Sequence, residues 1–207
     1  MKLFLIYNSK NLIDKKRQKN TLQKKKEINN ILYDIHVWLS PKIALESAIA
    51  IHNMLIKIIP QKKIIIDNNL KNFKLSLLKL DENIKARLLS FKEKKYFIFH
   101  NAYKYFEKYY QLHPIGYFEK YPGIQTGARS LYEIKEQLLK KKATCIFTEP
   151  QFNTNIIDVI IRRTNIHKGL LDPLGITIPL SKDSYLKFLL QLSNQYIRCF
   201  KKAQGIK

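Results

Sequence analysis

The stretch YFIFHNAYKYFEKYYQLHPI, residues 96–115, decides the fold. Tyr96–Phe99 is a short apolar run that reads as a buried strand ending at His100. Asn101–Tyr109 reads as a helix, and Leu112–Ile115 as the next strand. The same rhythm continues downstream. A polar loop with Pro122, Gly123 and Gly127 precedes a helix over Ser130–Lys140. Thr144–Phe147 is a strand, Asn155–Arg163 a helix, His167–Leu171 a strand and Asp183–Cys199 a closing helix. Strands alternating with helices predict an α/β fold with a mostly parallel sheet covered by helices.

Upstream, the periodicity changes to helical. Ser40-Pro41 opens a helix, because Ser40 can cap the exposed amides and Pro41 suits the first helical position. Ala44, Ala48, Ile51 and Leu55 form its apolar stripe, and Pro60 closes it. Residues 61–90 read as a second, long helix on Ile65, Leu70, Phe73, Leu77, Leu80, Ile84 and Leu88. About 30 residues would span roughly 45 Å, the length of a strut between two lobes. Residues 1–7 and 31–34 suggest short strands. Residues 8–30, with KKRQK and QKKKE, read as a solvated loop or frayed helix.

The chain has 207 residues, enough for one domain or one domain and part of another. Lys and Arg total 38 against 16 Asp and Glu, a net charge of +22. Such a charge raises the prospect of nucleic-acid or acidic-membrane partners. The lysines are spread along the whole chain, however, and Ile, Lys, Asn, Tyr and Phe are abundant throughout. That pattern favours compositional drift over a nucleic-acid surface, so no nucleic-acid partner is expected. Two cysteines do not decide the compartment, since a buried, unpaired thiol is the usual cytosolic state. No C-x-x-C pair points to redox chemistry. The opening MKLFLIYN is apolar but breaks at Asn8 and lacks a small-residue cleavage signal, so it is a poor secretory signal. No stretch approaches the roughly 20 apolar residues of a membrane span.

The residues with chemistry sit at the ends of apolar runs. His100 follows the first predicted strand of the second half, Glu149 follows CIF, and Asp172 follows GLL. In α/β folds, ligands collect beyond the carboxyl ends of strands. His36 follows ILYDI in the earlier part. Imidazole and carboxylate suit zinc at about 2.0–2.2 Å, and also manganese or iron. His36, His100 and Asp172 are therefore the candidate metal ligands, with water or another side chain completing the shell. The separation of the histidines matches no local motif. Each residue also has a plain structural reading: a loop histidine beside Trp38, a helix-cap histidine and an Asp-Pro turn. His52, His113 and His167 are read as structural. No phosphate-binding glycine loop, nucleophile elbow or triad spacing is present, so no enzyme is expected.

The chain resembles the zinc/manganese solute-binding family of bacterial ABC transporters, and within it the zinc-uptake type. The resemblance runs from about Asp34 to Phe200. It rests on HVWLSP at 36–41, FHNAYKYFEKYY at 99–110, IQTGARSLYEIKEQL at 124–138, ATCIFTEPQF at 143–152, LLDPLG at 170–175 and KDSYLKFLLQLSNQY at 182–196. The family fold this implies is two-lobed with a long linking helix. Residues 1–60 would then belong to the N-terminal lobe, 61–91 to the linking helix and 92–207 to the C-terminal α/β lobe. The resemblance assigns His36 and His100 as metal histidines and Asp172 as the metal-side carboxylate. It pairs Cys145 with Cys199 in a disulfide. It implies a monomeric, periplasmic carrier of Zn2+, with Mn2+ less favoured, serving a membrane permease.

The departures carry expectations too. Asn101 stands where the family reads aspartate. Residues 8–30 are lysine-rich and hold no histidine, where zinc-type members often carry a histidine- and acid-rich loop. No signal peptide and no earlier metal histidine precede His36, so an incomplete first lobe is expected. The alternatives to zinc carriage are a truncated remnant without tight metal binding and, below it, a basic nucleic-acid-binding protein.

Overall fold

A computed structural model describes residues 34–119, 128–151 and 155–205. The chain divides into two compact units, Met1–Val37 and Trp38–Lys207. Of the first, only residues 34–37 are described, so the strands and loop expected over 1–33 lie outside the described residues. Every element below belongs to the second unit.

Helix α1 spans Pro41–Ile58 and starts as its sequence requires. The Ser40 hydroxyl accepts from the Ile43 amide at 3.3 Å, and Pro41 occupies the first turn. A cap of this kind stabilises a helix by about 1 kcal/mol. Ile51, placed on the apolar stripe by its spacing, is more than half exposed. A turn at Pro60–Lys62 leads into α2, Lys63–Leu88. Its 26 residues extend about 39 Å. The buried positions are Ile66, Leu77, Asp81, Ile84 and Leu88. Counting back from Leu77 in steps of three and four reaches Phe73, Leu70 and Ile66. Ile65 therefore falls off the stripe and is exposed.

Four parallel strands follow: β1 Tyr96–His100, β2 Gly116–Glu119, β3 Cys145–Thr148 and β4 His167–Leu170. Their spatial order is β2-β1-β3-β4. Ile98 lies opposite Phe147 on one side and Tyr117 on the other, and Phe147 lies opposite Gly169. The connecting helices are α3 Lys104–Tyr110, α4 Ala128–Lys140 and α5 Asn155–Ile161, and α6 Ser184–Lys202 closes the unit.

The second strand begins four residues later than the sequence predicts. Leu112 is fully buried, but its amide bonds to the Glu107 carbonyl at 2.9 Å, across the left-handed Gln111. That is a helix C-terminal closure, with the following apolar residue folded back onto the helix. The ladder starts only where the Ile115 amide reaches the Tyr96 carbonyl at 2.8 Å.

The central strands are apolar on both faces, as parallel sheets demand. Tyr96, Ile98, Cys145 and Phe147 point to one face, where Leu77, Ile84 and Leu88 of α2 and Leu192, Tyr196 and Phe200 of α6 cover them. Phe97, Phe99 and Ile146 point to the other, against Ile134 and Leu138 of α4 and Ile157 and Ile160 of α5. Cys145 and Cys199 are joined by a disulfide that ties β3 to α6. The bond closes a sequence separation of 54 residues. By loop entropy this is worth about 4 kcal/mol.

Candidate functional site

Parallel pairing brings the carboxyl ends of β1, β3 and β4 to one edge of the sheet. His100 is the last residue of β1. Glu149 follows the last residue of β3, and Asp172 lies just beyond β4. All three sequence-predicted rim residues are thus at the same margin. His100 Nδ1 stands 3.3 Å from Glu149 Oε1, an ion-pair distance, with the imidazole 16% and the carboxylate 3% exposed. Tyr103 knits the rim together. Its hydroxyl donates to Glu149 Oε1 at 3.0 Å and lies 3.3 Å from the Leu171 carbonyl. Burial and the neighbouring Glu149 charge hold the Tyr103 phenol protonated, well above its ordinary range.

Asp172 is buried and organises the loop after β4. Its Oδ1 accepts from the amides of Leu174 and Gly175 at 3.1 and 3.0 Å, and Oδ2 from Ile176 at 2.7 Å. Gln151 Nε2 approaches Oδ1 at 3.5 Å, and Gln195 accepts from the Asp172 amide at 3.0 Å. Gly175 has φ +65, a conformation L side chains rarely adopt, and a Cβ there would meet the Phe188 ring at 3.0 Å. The loop is further pinned by Trp38, whose indole donates to the Pro173 carbonyl at 2.8 Å. Tyr185 in turn donates to the Trp38 carbonyl at 3.0 Å. The Asp-Pro turn reading is therefore correct as far as it goes, since a carboxylate that accepts three loop amides is a turn device. A carboxylate has about four lone-pair directions, which leaves Asp172 acceptor capacity beyond those amides.

His36 lies in the other unit and is described by its own contacts. Its Nδ1 is 2.7 Å from Asp34 Oδ1, and its backbone amide donates to the same oxygen at 3.0 Å. Asp34 gave no sequence signal of a role. A short polar residue two positions before a histidine is too common to read, and the same holds for Tyr103. His52 pairs through Nε2 with Asp67 at 2.7 Å, joining α1 to α2, in keeping with a structural role. Its pKa is raised by hydrogen bonds to Asn53 and Asp67. Among the described residues, no three His, Cys, Asp or Glu side chains form a metal-ligand cluster, and no helix is long and apolar enough to cross a membrane.

A parallel sheet with a polar rim, braced by one long helix, is the fold of the metal solute-binding proteins. The chain superimposes on a crystal structure of ZnuA with a TM-score of 0.70, at 24% identity, over 84% of this chain and 63% of that one. Sequence comparison is more specific. The chain belongs to the family described as zinc-uptake complex component A, periplasmic, which it matches over residues 6–199. It is 63% identical over 202 residues to the high-affinity zinc uptake system protein ZnuA of Buchnera aphidicola subsp. Schizaphis graminum, covering 98% of this chain and 64% of that protein. It is 48% identical over 169 residues to the ZnuA of Yersinia pestis, covering 82% of this chain and 53% of that protein. The chain thus spans between about half and two thirds of the length of these relatives.

Proposed function

We propose that this chain captures zinc in the periplasm and delivers it to the membrane permease of an ABC transporter. The observation that carries the reading is the 63% identity, running through 98% of the chain, to a protein named for high-affinity zinc uptake. The chemistry of the rim supports it. His100 and Asp172 supply nitrogen and oxygen donors of the kind a borderline divalent ion takes, and His36 supplies a second imidazole. The three are the proposed ligands, with water or a further side chain completing the shell. Zinc is preferred to manganese because the relatives carry zinc in their names.

In this reading residues 1–60 belong to the N-terminal lobe, 61–91 form the linking helix and 92–207 the C-terminal lobe. The carrier acts as a monomer, performs no bond-making chemistry and has no nucleic-acid partner. The charge of +22 is then background composition rather than a recognition surface.

Isothermal titration of the full chain with zinc tests the proposal, with His100→Ala as the paired variant. The expected result is saturable binding near one zinc per chain, lost in the variant. Absence of binding at micromolar zinc by the parent chain overturns it.

A further inference from the structure

The lysines are dispersed along the sequence, but the fold collects four basic runs at one edge of the sheet. KEKK at 92–95 leads into β1, and KKK at 140–142 closes α4 ahead of β3. RR at 162–163 follows α5 ahead of β4, and KK at 201–202 ends α6. Parallel pairing puts the starting ends of the strands together, opposite the donor rim. The Thr144 amide donates to the Lys95 carbonyl at 2.8 Å, and the His167 amide to the Thr144 carbonyl at 3.0 Å, so the first three runs lie side by side. The Cys145–Cys199 bond brings the end of α6 to the same edge. Glu93 is the single acid within the four runs. Between the ends of α4, α5 and α6 this edge holds a cleft of about 500 Å³. Leu138, Ala143, Ile166 and Ala203 give it an apolar lining, and Lys142 and Arg163 line it with charge. We propose that the cleft is an anion site in which Lys142 and Arg163 hold the phosphate group of an ester with an apolar part, whether a phospholipid headgroup or a soluble ester.

Lys142 and Arg163 are matched in a second way. Each lies just past the end of its helix with a left-handed backbone, at φ 54 and φ 63. Glycine takes such a position most readily. A lysine and an arginine there accept a backbone cost and set long cations beside the cleft. Among the described residues neither has a carboxylate partner. Cations at helix C-termini also complement the helix dipole, which amounts to about half a negative charge per helix. Three helix ends fall well short of balancing four runs that contain one acid. The guanidinium fork matches phosphate oxygens in pairs, and the ammonium adds a compact charge. The apolar lining suits the organic part of an ester, as in ligand sites generally. The net charge of the whole chain does not enter the argument. What carries it is where the cations meet and that they lack partners.

Isothermal titration of the full chain with phenyl phosphate tests the site. Co-sedimentation with phosphatidylcholine vesicles, with and without phosphatidylglycerol, forms the second arm. The variants are Lys142→Asn and Arg163→Asn, singly and together, because asparagine tolerates a left-handed backbone. Lys74→Gln with Lys79→Gln on α2 removes the same charge far along the chain and serves as the control. The parent should bind at least one probe, and each asparagine substitution should weaken that binding about 10-fold. The control pair should keep the parent affinity. Binding of phenyl phosphate assigns the site to soluble esters, and binding only to vesicles that contain phosphatidylglycerol assigns it to the headgroup. Either result supports the proposal. Binding of neither probe by the parent overturns it. So does an equal loss in the control pair, which would make the attraction a property of overall charge. Urea midpoints matching the parent's establish that the variants fold, and if the double variant does not, the single variants decide.

Discussion

The Tyr96 hydroxyl donates to Glu107 Oε1 across 2.9 Å inside the core, and Tyr196 approaches the same oxygen at 3.3 Å. Glu107 is 3% exposed, on the first turn of α3. Burial pushes its carboxyl up to about 8, against the lowering effect of the two tyrosine hydrogen bonds and of Lys104. Its folded pKa therefore lies above its unfolded value, so the folded state holds the proton more tightly. Stability conferred by that proton is complete at acid pH and is lost as pH rises from about 4.5 to about 8. Glu107→Gln keeps an accepting oxygen and removes the ionisation. Its urea midpoint should decline less than the parent's between pH 5 and pH 8.5, and equal slopes would refute the assignment.

Asp81 fastens the long helix to α3. Its carboxylate accepts from Tyr109 at 2.8 Å, Tyr110 at 3.0 Å and Lys85 at 2.6 Å. Asp81→Ala leaves the buried Tyr110 hydroxyl without this acceptor, a loss of about 1–3 kcal/mol in chemical denaturation. The Lys85 pKa, raised chiefly by its hydrogen bond to Asp81, should fall back toward its ordinary value in the same variant, as read by NMR titration.

Reduction of Cys145–Cys199 removes a tie across 54 residues of sequence. The thermal midpoint should drop on reduction, and the double Ala variant should lose up to about 4 kcal/mol. A midpoint indifferent to reductant would show that the bond contributes nothing to the folded state.

Gly169 in β4 has no room for a side chain. A Cβ there would stand 2.6 Å from the Phe147 ring and 3.0 Å from Cys199 Cβ. Phe147 is buried and packed between Tyr96, Tyr196 and Phe200, so it has nowhere to go. Gly169→Ala should destabilise by about 1–3 kcal/mol through overpacking, measured by denaturant unfolding.

The long helix was legible because its apolar stripe holds a 3.6-residue period over many turns, and the strands because each is a short apolar run between breakers. The strand expected at Leu112–Ile115 was misplaced for a physical reason. A buried apolar residue after a helix serves the helix closure as readily as a sheet, and no pattern separates the two. Gly116, on which the sequence reading was silent, is a strand residue whose missing side chain makes space for the Phe97 ring. The rim positions of His100, Glu149 and Asp172 could be read from the switch between apolar runs and polar residues. The partners of those residues could not. Tyr103 and the Trp38–Pro173 contact depend on chain segments meeting in space, and Asp34, two residues before His36, carries no distinguishing pattern. Glu107 was invisible as a core group, since nothing in KYFEKYY distinguishes it from a solvated helix acid.

Strand β3 carries the disulfide at its first residue and Glu149 just past its last. The sulfur pin and the donor rim are thus separated by the length of the strand, about 10 Å or more. A phosphine reductant with no appetite for metals would loosen the floor of the sheet while sparing the rim. If the chain carries zinc as proposed, a chelator would strip it while sparing the floor. Under that proposal durability and loading answer to different reagents, and a dithiol would empty the chain by competing for the metal rather than by damaging the imidazoles.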